Sequence, residues 1–293
     1  MKTKASTVIG HFLIISVCWT VYTIALAADS EPVVHTNISY YSEVVPANAD
    51  DYQKPQCRLD VFVPPDAEKL PVLVWFHGGG LTGGQKEVPK FLKKERIVLV
   101  AAGYRLSPKA KFPEFLEDVA AVTAWAFANI ECYGGDAKRI FIGGHSAGGY
   151  LSAMIGMDSR WLKPYELTPN DLAGLVLLSA QVTTHFHVKE ILQYPGHRLL
   201  PVIDENAPLH HVSPELPPIV LVLGDRKIEW PVRVEENELM AVTLQKMGHP
   251  HVEFHENPGR DHGLNLNGDY APEVASQVRD FLIRFGNLPH DKE

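Results

Sequence analysis

The chain has 293 residues, of which 45% are hydrophobic and 21% are charged, and this size and balance predict one globular domain, or at most two. The formal net charge of −8 disfavours nucleic acids and anionic membrane surfaces as partners, because both carry negative charge themselves. The sequence contains no internal repeat, low-complexity tract or long linker.

The N-terminal segment, residues 1–27, has the pattern of a secretory signal peptide. Two lysines among the first four residues precede an uncharged apolar stretch, residues 12–27, and the tripeptide ALA at 25–27 is an A-x-A cleavage site. Cleavage there leaves residues 28–293 as a single domain, secreted or periplasmic, with no stable membrane insertion. An uncleaved membrane anchor is the alternative, although the apolar stretch is short for a membrane span.

The rest of the chain alternates strand patterns with helix patterns. Apolar and β-branched runs predict strands at 35–43, 56–63, 70–76, 96–104, 139–142, 172–180, 217–224 and 251–256. Helix formers with apolar residues at helical spacing predict helices at 114–130, 150–157, 232–247 and 271–285. This alternation predicts an α/β fold with a mostly parallel sheet covered by helices on both faces. Residues 181–216, which contain several histidines and prolines, do not fit the alternation and are expected to form a small cap or long loop.

The stretch GGHSAGG at 143–149 lies between a predicted strand and a predicted helix, with Ser146 at the turn. Gly144 and Gly148 complete the pattern G-x-S-x-G, which is typical of a nucleophile on a strained strand-to-helix turn. The N–H group of Ala147 then begins the helix and can face a developing oxyanion. Because G-x-S-x-G arises often by chance, a glycine-rich turn that binds phosphate, or nothing, is the alternative.

A second glycine-rich stretch, HGGG at 77–80, follows the predicted strand at 70–76. Its glycines allow the N–H groups of Gly78 and Gly79 to point into a site without an intervening Cβ, as in the second half of an oxyanion hole. Taken alone this would be an ordinary turn. Its occurrence together with the serine turn favours the catalytic interpretation.

A serine hydroxyl needs a base to act as a nucleophile, and His262 is the candidate among 14 histidines. It follows the predicted strand at 251–256, and the next residue is glycine, which leaves room beside the imidazole. Ser146, HGGG and His262 all follow strands, and parallel strands present their carboxyl ends at one edge of a sheet. The three clusters are therefore expected to meet in one active site. No histidines or acidic residues in the right elements have metal-ligand spacing.

With these motifs the chain resembles an α/β-hydrolase of the esterase and lipase group related to hormone-sensitive lipase. It is more similar still to the feruloyl- and acetyl-xylan-esterase-like branch and to kynurenine formamidase-like hydrolases. The matching segments span most of residues 70–263 and are HGGG (77–80), YRLSP (104–108), FPEFLEDV (112–119), GGDAKRI (134–140), GHSAGG (144–149) and DHG (261–263).

The resemblance implies roles for particular residues. Ser146 would be the nucleophile and His262 the base, with Gly78, Gly79 and Ala147 as the oxyanion donors. The resemblance also implies that Asp118 and Arg105 are structural.

The third member of the triad departs from the family pattern. Relatives carry an aspartate in the loop after the strand equivalent to 218–224, and Lys227 stands at that position here. Glu229, which lies two residues before a proline, is the favoured acid, because a glutamate can also orient and stabilise the histidine. Asp225 is the alternative, although it lies only one residue beyond the strand.

Two cysteines, Cys57 and Cys132, remain after signal cleavage. They could pair in an oxidising compartment, but they fall in different predicted elements. Two free, buried thiols are the favoured interpretation.

The sequence therefore predicts a secreted serine hydrolase that cleaves a small-molecule or carbohydrate-linked ester, with no metal and no cofactor. An amidase or formamidase with the same site is one alternative. A non-catalytic hydrolase-like binding protein is another, and it is suggested by Lys227 at the usual position of the acid.

Overall fold

A computed structural model describes residues 31–41, 52–266 and 269–287 of the chain. The chain divides into two units, residues 1–30 and residues 31–293, and all of the described residues belong to the second. The predicted signal peptide, residues 1–27, lies outside the described residues.

The central feature of the described chain is an eight-stranded sheet with the order β1-β2-β4-β3-β5-β6-β7-β8. Strand β2 pairs antiparallel with both β1 and β4, and all the other neighbours in the sheet run parallel. The strands are β1 (Val33–Ser39), β2 (Arg58–Val63), β3 (Leu70–Phe76), β4 (Val98–Ala102), β5 (Gly135–His145), β6 (Gly174–Leu178), β7 (Ile219–Leu223) and β8 (Val252–Glu256).

Six α-helices occur in the described residues, and they cover both faces of the sheet. They are α1 (Gln53–Gln56), α2 (Glu114–Asn129), α3 (Ala147–Met157), α4 (Phe186–Ile191), α5 (Arg233–Lys246) and α6 (Pro272–Gly286). A short antiparallel pair, β9 (Asn265–Leu266) and β10 (Asp269–Tyr270), precedes α6.

Strand β3 shows why the sequence forms this sheet. All seven of its residues are buried, because a central parallel strand has helices on both sides. Val72, Val74 and Phe76 pack into the core shared with α2, α3 and α5. Leu73 and Trp75 point the other way, into the core shared with α6. A continuous apolar run is therefore needed in this strand, and an alternating pattern would not suffice.

The predicted elements are present, with shifted boundaries. The strand predicted at 139–142 extends in both directions to become β5, and the helix predicted at 150–157 begins three residues earlier, directly after Ser146. The region 181–216 contains α4 and a short 3₁₀ helix, Pro208–His211, within otherwise irregular chain. The expected cap or long loop stays a prediction for this region.

The structure corrects one detail of the cysteines. Cys57 and Cys132 are both free thiols, as favoured, but only Cys57 is buried and Cys132 is exposed.

Arg105 and Asp118, which were expected to be structural, form an ion pair. Arg105 Nη2 lies 2.8 Å from Asp118 Oδ1, and the Asp118 carboxylate is fully buried.

Candidate active site

Ser146 lies on the turn between β5 and α3, in a backbone conformation that side chains rarely adopt. Its φ and ψ are 55° and −116°, a strained combination of the kind that costs roughly 1–3 kcal/mol. Neighbouring structure holds it there, because its N–H donates to the carbonyl of Leu178 in β6 at 2.8 Å and its carbonyl accepts from Tyr150 N in α3 at 3.0 Å. The side chain therefore projects from the carboxyl edge of the sheet.

Gly148 explains the dense glycines after the serine. A Cβ placed on Gly148 would lie 2.0 Å from the carbonyl oxygen of Phe76 and 2.6 Å from that of His77, which is far inside van der Waals contact. The start of α3 therefore packs directly against the end of β3. This contact brings the serine turn and the HGGG stretch side by side.

His77 stabilises the HGGG loop through its ring and its backbone. The His77 Nδ1–H donates to the carbonyl of Gly78 at 2.7 Å, and the His77 ring stacks on Tyr104 with 4.4 Å between ring centres. The Tyr104 hydroxyl donates to the His77 carbonyl at 2.8 Å. Burial lowers the pKa of His77, so that its ring stays neutral and serves as a fixed support.

Gly78 lies beside the serine, and Gly79 follows it in the HGGG loop. A Cβ on Gly78 would lie 3.4 Å from the Cβ of Ser146, and Gly79 has a φ of +114°, where a Cβ would lie 2.1 Å from the carbonyl oxygen of Gly83. Within the described residues, no group accepts a hydrogen bond from the N–H of Gly78, Gly79 or Ala147. These three donors are therefore available to a ligand oxygen next to Ser146.

His262 lies in the loop after β8 and contacts two of the predicted site residues. Its Nε2 is 2.9 Å from Ser146 Oγ, and its Nδ1 is 2.5 Å from Glu229 Oε1. A carboxylate can only accept, so Nδ1 carries the proton and Nε2 is left as the acceptor for the serine hydroxyl. The imidazole is thus in the tautomer that a general base requires.

Glu229 is fully engaged by its surroundings. Besides His262, its Oε1 accepts from Trp230 N at 2.8 Å, and its Oε2 accepts from Ser179 Oγ at 2.7 Å and from Gly224 N at 3.0 Å. Burial by itself raises the pKa of the carboxyl group, but the hydrogen bonds and the nearby imidazole outweigh it and lower that pKa to about 2. Glu229 is therefore an anion at any pH at which the protein would work.

Asp225, the alternative acid, is used differently. Its carboxylate accepts from the backbone N–H groups of Lys227 at 3.0 Å and Gly259 at 2.9 Å. It thus joins the loop that carries Glu229 to the loop that carries His262. Glu229, and not Asp225, is hydrogen-bonded to the imidazole.

His145 and Ser179 support the site, and the sequence analysis assigned no role to either. The His145 Nε2–H donates to the carbonyl of His262 at 2.7 Å, and the two rings are 5.0 Å apart. Burial and the neighbouring His262 lower the pKa of His145 to about 4. The only sequence signals were their positions, because Ser179 directly follows β6 and His145 directly precedes Ser146.

The described residues also bear on metals and membranes. In residues 31–41, 52–266 and 269–287 no group of three or more His, Cys, Asp or Glu side chains is placed to hold a metal ion. Within the same ranges, the helices are too short or too polar to cross a membrane.

Comparison with known proteins identifies relatives that are named as esterases. Residues 59–197 match the family model described as BD-FAE. Esterase LipC of Mycobacterium tuberculosis is 26% identical over 252 residues, which cover 78% of this chain and 62% of that protein. The probable carboxylic ester hydrolase LipM of the same organism is 27% identical over 257 residues, covering 80% of this chain and 59% of that protein. The chain therefore spans about three fifths of the length of these two relatives.

Solved structures agree with the predicted architecture. The acetyl ester-xyloside bifunctional hydrolase from Caldicellulosiruptor lactoaceticus has a TM-score of 0.71 at 23% identity, over 86% of this chain and 97% of that one. The fold prediction is confirmed, since the chain has the α/β-hydrolase fold. The resemblance to the esterase and lipase group is confirmed as well. The names of the relatives agree with the predicted class, a carboxylic ester hydrolase.

Proposed function

We propose that this α/β-hydrolase, which resembles the esterase and lipase group, is a serine carboxylesterase that acts through an acyl-enzyme. The observation that carries the proposal is the unbroken line of contacts from Glu229 Oε1 to His262 Nδ1, 2.5 Å, and from His262 Nε2 to Ser146 Oγ, 2.9 Å. Three backbone N–H donors, on Gly78, Gly79 and Ala147, lie beside the same serine with no acceptor in the described chain.

The reaction follows from this arrangement. Ser146 Oγ attacks the acyl carbon while His262 Nε2 takes the hydroxyl proton, and Glu229 stabilises the imidazolium that forms. The three N–H groups stabilise the negative charge on the carbonyl oxygen. The C–O bond to the alcohol then breaks, and His262 returns the proton to the leaving oxygen. Water repeats the sequence on the acyl-enzyme, so that the acid is released and the Ser146 hydroxyl is restored.

The proposed substrates are small-molecule or carbohydrate-linked esters. One solved structure of the same fold is named as an acetyl ester-xyloside hydrolase, and this supports short acyl groups on a sugar as the first substrates to test. The fold alone does not choose a substrate, because sites are changed on a common scaffold.

Export from the cytoplasm is part of the proposal. It is supported by the uncharged stretch at 12–27 and the tripeptide at 25–27, which follow two lysines near the start of the chain. A secreted or periplasmic enzyme would meet environmental esters rather than metabolic ones.

Labelling with a fluorophosphonate probe tests the proposal, together with turnover of p-nitrophenyl acetate. The parent protein should react at Ser146 and hydrolyse the ester, whereas Ser146→Ala should do neither and should remain folded. Ser276→Ala, which removes a hydroxyl in α6 that donates to Asp280 Oδ2 at 3.3 Å, is the control and should behave like the parent.

The same assay separates the alternatives. Faster turnover of an N-formyl or aryl amide than of the matched ester would replace the esterase proposal with an amidase. If the parent is unlabelled and inactive on both, the chain is a binding protein and the proposal is wrong.

A further inference from the structure

The side of the site that receives the leaving alcohol can be located from His262. The alcohol oxygen must reach the Nε2 atom that returns its proton, and the rest of the alcohol therefore lies against the exposed neighbours of the imidazole. His145 is one aromatic neighbour, but it lies beneath the imidazole and is hydrogen-bonded to the His262 backbone. Trp230 is another, with 5.8 Å between ring centres, and 37% of its surface is exposed.

Trp230 is part of a stacked group that frames this side of the cleft. Its ring is nearly parallel to that of Phe186, at 14° and 6.1 Å between centres. Phe186 in turn reaches the HGGG loop, since a Cβ on Gly80 would lie 3.6 Å from the Phe186 Cζ. The two rings therefore extend from the loop that carries Glu229 to the HGGG loop. The faces of Phe186 are already covered by His185, at 4.3 Å between ring centres, and by Arg198. The partly exposed ring of Trp230 is therefore the flat apolar face that suits one face of a sugar or another ring.

A guanidinium group completes the stack. The Cζ of Arg198 lies 4.1 Å from the ring centre of Phe186 and 6.0 Å from that of Trp230. Its backbone is tied down, because the Nζ of buried Lys189 donates to the carbonyl of Arg198 at 2.8 Å and to that of Leu200 at 2.6 Å. The guanidinium plane is thus held over the rings before any ligand arrives.

One edge of this guanidinium is open. Its Nε pairs with Glu190 Oε1 at 3.1 Å, whereas neither Nη group of Arg198 has an acceptor in the described part of the chain. About half of the side chain is exposed. The two Nη groups form a fork that matches the two oxygens of a carboxylate, and an arginine held by stacking loses little entropy when it binds one.

We propose that the preferred alcohol is a ring that bears a carboxylate, such as an acylated uronic acid, with the ring on Trp230 and the carboxylate on the Nη fork of Arg198. The inference rests on the proposed esterase function, and it deepens that function by naming the substrate class. The imidazole lies 5.8 Å and the Arg198 guanidinium 6.0 Å from the ring centre of Trp230, so that a ring placed on Trp230 lies near both groups.

The test compares two acetyl esters of one ring, a monoacetylated methyl glucuronoside and the matching acetylated methyl glucoside. The parent should favour the glucuronoside by about tenfold or more in kcat/KM. Arg198→Gln should remove most of this preference, mainly by raising KM for the glucuronoside, and should affect the glucoside much less. Added salt should weaken the preference in the parent, because the contact is ionic and partly exposed.

Arg284→Gln is the matched control. Arg284 is also exposed, pairs with Glu253 and lies over the ring of Phe285 at 6.0 Å, but it is in α6. It should change neither substrate.

Equal turnover of the two sugars by the parent, or an equal loss on both in Arg198→Gln, would overturn the carboxylate proposal while leaving the esterase proposal intact. So would hydrolysis of p-nitrophenyl acetate with no hydrolysis of either sugar ester. A parent that hydrolyses none of the three and is not labelled at Ser146 would overturn both proposals.

Discussion

Replacing Glu229 with glutamine would test the proposed acid most sharply, because the shape of the side chain is kept and only its charge is lost. The carboxylate accepts four hydrogen bonds, one of them from His262 Nδ1. In the reaction the imidazole gains a proton and becomes a cation 2.5 Å from Glu229 Oε1. Glutamine cannot compensate that cation, and its amide can donate to Nδ1 and favour the wrong tautomer.

The size of the effect can be worked from the pKa of Glu229. That pKa is about 2 against an ordinary 4.5, and the difference corresponds to about 3 kcal/mol that favours the charged form in its surroundings. If the transition state loses a comparable stabilisation, turnover falls by about 10². Loss of the correct tautomer extends this toward about 10⁴, the cost of the equivalent change in the best-studied triad. We therefore expect Glu229→Gln to reduce kcat by 10² to 10⁴.

The assay is steady-state hydrolysis of p-nitrophenyl acetate by protein prepared from a host without background esterases, with circular dichroism to verify folding. Asp225→Asn is the control, because the Asp225 carboxylate accepts from the backbone N–H groups of Lys227 and Gly259 and not from the imidazole, and it should cost less than about tenfold. If Asp225→Asn is the more damaging change, or if Glu229→Gln keeps activity within tenfold of the parent, the assignment of the acid is wrong.

Three further results are expected. Gly148→Ala should lower Tm by several degrees, at roughly 2–4 °C per kcal/mol, because the new Cβ would lie 2.0 Å from the carbonyl oxygen of Phe76. Gly83→Ala is the control, since its Cβ would have no contact closer than 4.0 Å, and it should melt near the parent. Equal Tm values for the two variants would contradict the packing argument. His145 has a pKa of about 4 against an ordinary 6.5, so that, as the pH falls, the unfolded chain takes up this proton before the folded chain does. The contribution of His145 to stability is therefore fully present above pH 6.5 and is lost as the pH falls toward 4. The free energy of unfolding, measured with urea, should change less with pH in this range for His145→Leu than for the parent. N-terminal sequencing of natively expressed protein should begin at Ala28, and recovery of an intact Met1 terminus from membranes would favour an anchor instead.

Much of the fold was predictable because its signals are local. A strand buried on both faces must be apolar along its whole length, and the run at 70–76 became β3 without a change of boundary. Boundaries that depend on partners were less predictable. The residues of β5 on either side of 139–142 are mostly glycines and charged residues, which do not predict a strand. Gly135, Gly143, Gly144 and His145 are extended because they pair with β3 or β6.

The candidate site shows the same division. Ser146, His262 and the HGGG loop were predictable because each follows a strand and the carboxyl ends of parallel strands share one edge. Cys132 illustrates the limit, since its residue type predicts burial and its place after α2 leaves it exposed.

Residue type, spacing and neighbours along the chain were enough to predict the order of strands and helices, the strained serine turn and the candidate histidine. The fold of the whole chain was needed to show which of the two carboxylates is hydrogen-bonded to the imidazole, since Glu229 and Asp225 lie in one short loop. It also decided the roles of His145, whose ring bonds to a carbonyl 117 residues away, and of Arg198, which stacks on rings from two other segments. Such contacts arise from the packing of distant segments, and local sequence carries no record of the distance between them.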